Sequence, residues 1–237
     1  MLVRSLLDII QQSLLAVSTE IDRNDIADNK ICSLISVYDT LLKIHKNSNL
    51  VSEIHVHKSV EHDMHMFEMK IQSLHACTHL RSALSYFISE LICNVEQHAG
   101  VDVGYGLSIY DDDRRCLIVG IADGGVSIYG SYVRSQKYLN EVGDSDAQAL
   151  YLAQNGYSTK NRPGAENRGY GISSNSKMIV EGLGGAFAIL SGNALFYHTS
   201  EGKRIYDLPD DVVWPGTLVL AEIPVEAKEF NIYNYIG

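Results

Sequence analysis

Residues 90–100, ELICNVEQHAG, place a carboxylate, an amide and an imidazole four residues apart, at Glu90, Asn94 and His98. Side chains four apart stack on one face of an α-helix. In and just before this segment, Leu84, Phe87, Ile88, Leu91 and Val95 recur at the helical period and form an apolar stripe for burial. The pattern therefore requires a helix packed on a core, with three polar groups along the edge of its buried face. Such a stripe is either a solvated helix face or a site. For a site the chemistry is suitable: a carboxylate can polarise a nucleophile, and an amide oxygen is a hard ligand suited to Mg²⁺.

The chain is long enough for this. Its 237 residues, 46% of them hydrophobic, can bury one sizeable domain with an extension, or two small ones. The net charge of −10 argues against a broad nucleic-acid footprint. Four scattered cysteines, Cys32, Cys77, Cys93 and Cys116, form no C-x-x-C pair. That usage fits a reducing cytosol, so a cytoplasmic location is expected. No apolar run reaches the roughly 18 residues of a membrane helix, and Asp8, Gln11 and Gln12 interrupt any signal-like core at the N-terminus. There Leu2, Val3, Leu6, Leu7, Ile10, Leu14 and Val17 follow helical spacing. This amphipathic helix can pack within the chain, form a homodimer contact or dock a partner.

The first 65 residues read as a mainly helical extension, and residues 66–237 as the main domain. Residues 52–57 alternate like a strand, and residues 70–98 read as one long helix ending at Gly100. Tyr105, Leu107 and Ile109 alternate, DDDRR turns the chain, and CLIVGIA reads as a buried strand, giving a hairpin. Residues 126–168 are polar and glycine-bearing, with one short helical stretch near DAQALYLAQN; their length suggests a functional lid. A further helix runs through ISSNSKMIVEG, and AFAIL, ALFYH and TLVLAEI read as strands. The order is not a strand–helix alternation. The expected class is α+β, a two-layer sandwich of helices on a mixed, mostly antiparallel sheet.

Three more clusters follow the helix of Glu90. Asp123-Gly124-Gly125 stands at the end of the buried strand, where a carboxylate needs a partner to offset its burial. A ligand amino group would serve, and so would a simple turn. STKNRPGAENRGYGISS sets Gly169 and Gly171 at a helix start, with Lys160, Arg162 and Arg168 nearby. Glycines and a helix N-terminus suit an anion. Pro215-Gly216-Thr217 leads into the last strand. Neither a Walker-type loop nor a dinucleotide fingerprint is present.

The four clusters, in this order, resemble those of the GHKL superfamily of ATP-binding domains, which includes histidine kinases, DNA gyrase B and heat-shock chaperones. ELICNVEQHAG looks like its N-box, IADGGVSI its first glycine box, STK…RGYGI its second and PGT its third. The resemblance covers roughly residues 70–224. It implies a Bergerat-type fold that binds ATP and Mg²⁺ under a lid at about residues 126–168. Asn94 would be the Mg²⁺ ligand and Glu90 the general base or polarising residue. Asp123 would accept from the adenine amino group, with Gly125 allowing close approach. Gly169 and Gly171 would cradle phosphates, Lys160 would contact them from the lid, and Thr217 would support the Asp123 end. The usual first glycine box has a glycine where this chain has Ser127. Binding is expected to survive, with a backbone altered because serine is less free at positive φ.

His62-Asp63 faintly mimics a phosphoacceptor motif. His62 lies only 32 residues before Asn94, too few for a two-helix hairpin and a first strand. The expected function is a cytosolic Mg-ATP-binding regulatory ATPase or protein kinase acting on a partner protein. The alternative is a non-catalytic ATP-gated interaction module whose lid closure controls partner binding. Six histidines between His55 and His79 include helix-compatible metal spacings, without a carboxylate or cysteine to complete a zinc set. Trp214 reads as a packing residue.

Overall fold

Alternation in the strand sequences determines where the core forms. In the computed structural model, which describes residues 51–55, 60–74, 80–112, 114–159, 170–208, 213–226 and 231–235, seven strands form one sheet. They are β1 (Val51–His55), β2 (Val103–Asp111), β3 (Cys116–Ala122), β4 (Ala186–Gly192), β5 (Ala194–Thr199), β6 (Gly202–Asp207) and β7 (Trp214–Pro224). Their spatial order is β1-β2-β3-β7-β4-β5-β6, so the last strand lies in the middle. Every pair is antiparallel, which corrects the mixed sheet expected from sequence. Hydrophobic alternation identifies faces but not strand direction.

Leu117, Val119 and Ile121 of β3 face one core, with Ile189, Phe196, Val219 and Ala221 from neighbouring strands. Ile118, Leu190, Leu195 and Leu220 point the other way into a second buried apolar cluster, anchored by Trp214. The first face receives the helices α1 (Val60–Leu74) and α2 (Arg81–Asn94), which continues as a π-helical turn over Val95–Ala99. Phe87 of α2 meets Phe187 edge-on, and Phe187 meets Phe196. Gly100 ends the helix at φ +70°, as the sequence suggests.

Three elements differ from the sequence reading. The long helix over residues 70–98 is two helices, α1 and α2, and α1 begins ten residues earlier, at Val60. Between ALFYH and TLVLAEI lies a strand that the sequence reading did not place, β6, paired with β5. Within residues 126–168 lie α3 (Ile128–Ser135), α4 (Leu139–Val142) and α5 (Asp146–Gln154). Buried Tyr132, Val142, Ala149 and Leu152 hold these three helices together, and Leu150 reaches the main core. The described part of the expected lid is thus packed structure. A further helix, α6 (Tyr170–Lys177), precedes a π-helical turn over Met178–Gly182.

Ser127 has φ −64° and ψ 171°, so its place needs no positive φ. It caps α3, its Oγ accepting from the Gly130 N–H at 3.1 Å. The amphipathic segment at residues 2–17 lies outside the described residues. None of the described helices is long and apolar enough to cross a membrane.

The cap gives a direct expectation. Ser127→Ala should lower stability by about 1 kcal/mol and Ser127→Gly by only a few tenths. Urea unfolding midpoints of the two variants check this ranking.

Candidate functional site

Burial of β3 carries Asp123 out of the strand into a position from which water is excluded. The residue is 4% exposed. Its Oδ1 accepts from the Gly125 N–H at 2.9 Å, and its own N–H donates to the Thr217 carbonyl at 2.9 Å. Trp214, fully buried, donates from Nε1 to the Asp123 carbonyl at 3.1 Å. Burial raises the carboxyl to about 6, outweighing the backbone hydrogen bonds of Gly125 and Thr217, which lower it. Trp214 is therefore a packing residue, as its sequence context suggests, and also fixes the chain at the aspartate.

The turn Pro215-Gly216-Thr217 is pressed against the same carboxylate. A Cβ on Gly216 would strike the Asp123 carbonyl and Oδ1, so only glycine fits there. Ser191 at the end of β4 ties the turn down, donating to the Gly216 carbonyl at 3.0 Å. Its Oγ also accepts from the Ile128 N–H at 2.9 Å and lies 3.3 Å from Thr217 Oγ1. One serine thus joins β4, the start of β7 and the start of α3.

Between these strands and the helices lies a cavity of about 140 Å³, lined by Glu90, Asn94, His98, Asp123, Gly171 and Thr217 among others. Residues drawn from four separate sequence clusters therefore meet at one place. Its apolar walls include Leu91, Val95, Ile121, Ile128 and Val219. The volume is comparable to that of cavities which enclose a single aromatic ring, about 150 Å³.

Gly125 is beside the cavity rather than in its lining. A Cβ there would collide with the Ala99 carbonyl, and Val126 N–H donates to that same carbonyl at 3.0 Å. Close approach at Gly125 is thus to the end of the Glu90–His98 helix. Lys160 and Gly169 lie outside the described residues.

Sequence reasoning missed part of the wall. Ser131 and Tyr132 of α3 line the cavity, with Tyr157, Ser158 and Thr159. The Tyr132 hydroxyl donates to the Tyr157 carbonyl at 2.6 Å, and the rings of Tyr132, Tyr138 and Tyr157 stack edge-on in series. His98 Nδ1 and Thr159 Oγ1 are 3.2 Å apart, joining the helix end to this wall. Ser158 and Thr159 belong to the STK sequence already singled out; the tyrosines carry no sequence signal that separates them from core aromatics. Among the described residues no group of three or more His, Cys, Asp or Glu could hold a metal ion. His55, in the histidine-rich stretch, instead pairs with Asp63 at 3.0 Å.

No family model, curated protein or solved structure matches the chain.

The carboxyl of Asp123 yields a signed pH dependence. Folded protein holds its proton up to about pH 6, whereas the ordinary value is 3.8. Between these values the folded state binds more protons than the unfolded state, so this group's contribution to stability falls as pH rises from about 4 to 6. The total is on the order of 3 kcal/mol. Asp123→Asn should remove that fall, gaining stability relative to wild type on going from pH 4 to pH 7. Denaturant unfolding of both proteins at the two pH values checks it; a constant difference would contradict the buried, proton-retaining carboxyl.

Proposed function

We propose that the chain is a Mg-ATP-binding protein of the GHKL type, with a Bergerat-type fold, acting as a regulatory ATPase or protein kinase on a partner protein. The observation that carries this reading is the convergence of Glu90, Asn94, Asp123, Gly171 and Thr217 on one cavity between the helices and the sheet. Each comes from a motif whose order in the sequence suggested the same family.

The residues present suit the ligand. Asp123 is a buried carboxylate with raised proton affinity, so its ionised form gains when a hydrogen-bond donor is supplied. An exocyclic amino group, as on adenine, is such a donor; guanine places a carbonyl at that position. The apolar walls suit the face of an aromatic base, with a phosphate chain extending toward Gly171 at the start of α6. Asn94 lines the same cavity, and its amide oxygen would hold Mg²⁺, which takes few protein ligands and keeps waters and phosphate oxygens. That the described residues hold no cluster of metal-ligating side chains is no obstacle to that arrangement. When bound, Mg²⁺ neutralises charge on the transferring phosphate.

Glu90 lies one helical turn before Asn94 and also lines the cavity. Its carboxylate would accept the proton of an attacking water or partner hydroxyl, an effect felt mainly in the transition state. Asp123 and Thr217 would orient the base, and the apolar walls would exclude water from it.

Calorimetry tests the binding claim. ATP affinity should fall strongly for Asn94→Ala or when Mg²⁺ is chelated. Asp123→Asn should weaken ATP by about ten- to hundredfold, the cost of a charge-assisted hydrogen bond of about 1.5–3 kcal/mol. GTP bound as tightly as ATP would contradict the role of Asp123. Glu90→Ala should leave ATP affinity within a few fold and abolish hydrolysis or phosphotransfer. ATP binding without either reaction in wild type, coupled to nucleotide-dependent capture of a partner, would replace the enzyme reading with the gated interaction module.

A further inference from the structure

Helices α2 and α6 meet at two paired positions. Tyr86 and Glu90 are four apart on α2, and Gly171 and Ser174 are three apart on α6, so each pair lies along one helix face. At the first contact, Ser174 faces the Tyr86 phenol. Burial and the nearby Glu90 charge push that phenol up to about 12. At the second contact, a Cβ on Gly171 would stand 2.5 Å from Glu90 Oε2 and 3.6 Å from its Cδ. Real Cβ atoms essentially never come closer than 3.0 Å to another heavy atom. The obstructed atom is the far end of a flexible side chain. Alanine at this position would therefore swing the carboxylate aside and leave the two helix backbones where they are.

We propose that the absence of a side chain at Gly171 fixes where the Glu90 carboxylate lies at the cavity, making Gly171 a positioning residue for proton transfer by Glu90. The inference deepens the catalytic reading above and rests on it for the role of Glu90. It gives Gly171 a second duty besides admitting an anion. A glycine that serves only phosphate approach would change binding when substituted. A glycine that makes room for Glu90 would change turnover.

The test compares wild type, Gly171→Ala, Glu90→Gln, the Gly171→Ala/Glu90→Gln double variant and Tyr86→Phe. MgATP affinity and turnover are measured for each. Protein labelled with ¹³C at tyrosine Cζ supplies a third readout, independent of ATP, with the Tyr86 signal assigned from Tyr86→Phe. Gly171→Ala should lose at least about tenfold more in turnover than in MgATP affinity. The double variant should be no slower than Glu90→Gln, because both changes act on one carboxylate. The Tyr86 signal should move in Gly171→Ala in the same direction as in Glu90→Gln. Turnover at the wild-type level in Gly171→Ala would overturn the proposal. So would a loss of affinity as large as the loss of turnover with the Tyr86 signal unmoved. If wild type turns over no ATP, the catalytic reading falls by itself; a displaced Tyr86 signal would still support the placement of Glu90, and an unmoved one would overturn it.

Discussion

The buried carboxylate of Asp123 is the constraint on which the site depends. An ionisable group at 4% exposure must be held by surrounding structure, and here the surroundings are backbone. Gly125 and Thr217 supply hydrogen bonds, Trp214 fixes the carbonyl, and Gly216 leaves the room that any side chain would fill. These groups come from the end of β3 and the start of β7, which neighbour each other because the last strand inserts into the middle of the sheet. Sheet topology, and not local sequence, brings residues 123 and 217 together.

The helical side of the cavity rests on a different principle. Glu90, Asn94 and His98 are arrayed by helical spacing alone, and apolar burial of Phe87, Ile88 and Leu91 against the sheet aims the array. Gly125 then seats the strand end against Ala99, closing the distance between the two sides. Ser191 makes the third connection, to α3. A site assembled this way is rigid where the base would lie, because β3, β7 and α2 belong to the main core. Its outer wall, Tyr132, Tyr157 and Thr159, is held by a smaller satellite cluster and by single hydrogen bonds. That wall rests on a much smaller apolar cluster than the main core, and local opening costs less where fewer apolar contacts are lost.

Much of this was legible in the sequence. Periodicity placed α2, the β2–β3 hairpin and the inner strands β4, β5 and β7, and burial of CLIVGIA foretold the enclosed aspartate. The failures have physical reasons. Residues 60–98 contain no proline or glycine, so nothing in the local pattern marks the break between α1 and α2. Strand β6 is an edge strand whose Lys203 and Arg204 look like turn residues, and pairing with β5 overrides that composition. Helix α3, IYGSYVRS, is rich in tyrosine and serine, and α4, LNEV, is a single turn. Tyr132, packed in the fold with Tyr138 against it, stabilises them, a tertiary effect that the helical period does not register. The cavity-lining positions of Glu90, Asn94, Asp123, Gly171 and Thr217 were legible because each sits at a fixed place relative to a strand or helix end. The tyrosine wall was not, since an aromatic facing a cavity and one facing a core have the same sequence environment.

The central claim is that these residues form one nucleotide site, and mapping backbone amide resonances during titration with MgATP tests it most directly. The account expects saturable shifts concentrated at Asn94, Asp123, Gly125, Gly171 and Thr217, with little change at the β6 edge of the sheet. Millimolar MgATP that leaves those amides unmoved, or shifts centred elsewhere on the fold, would contradict it.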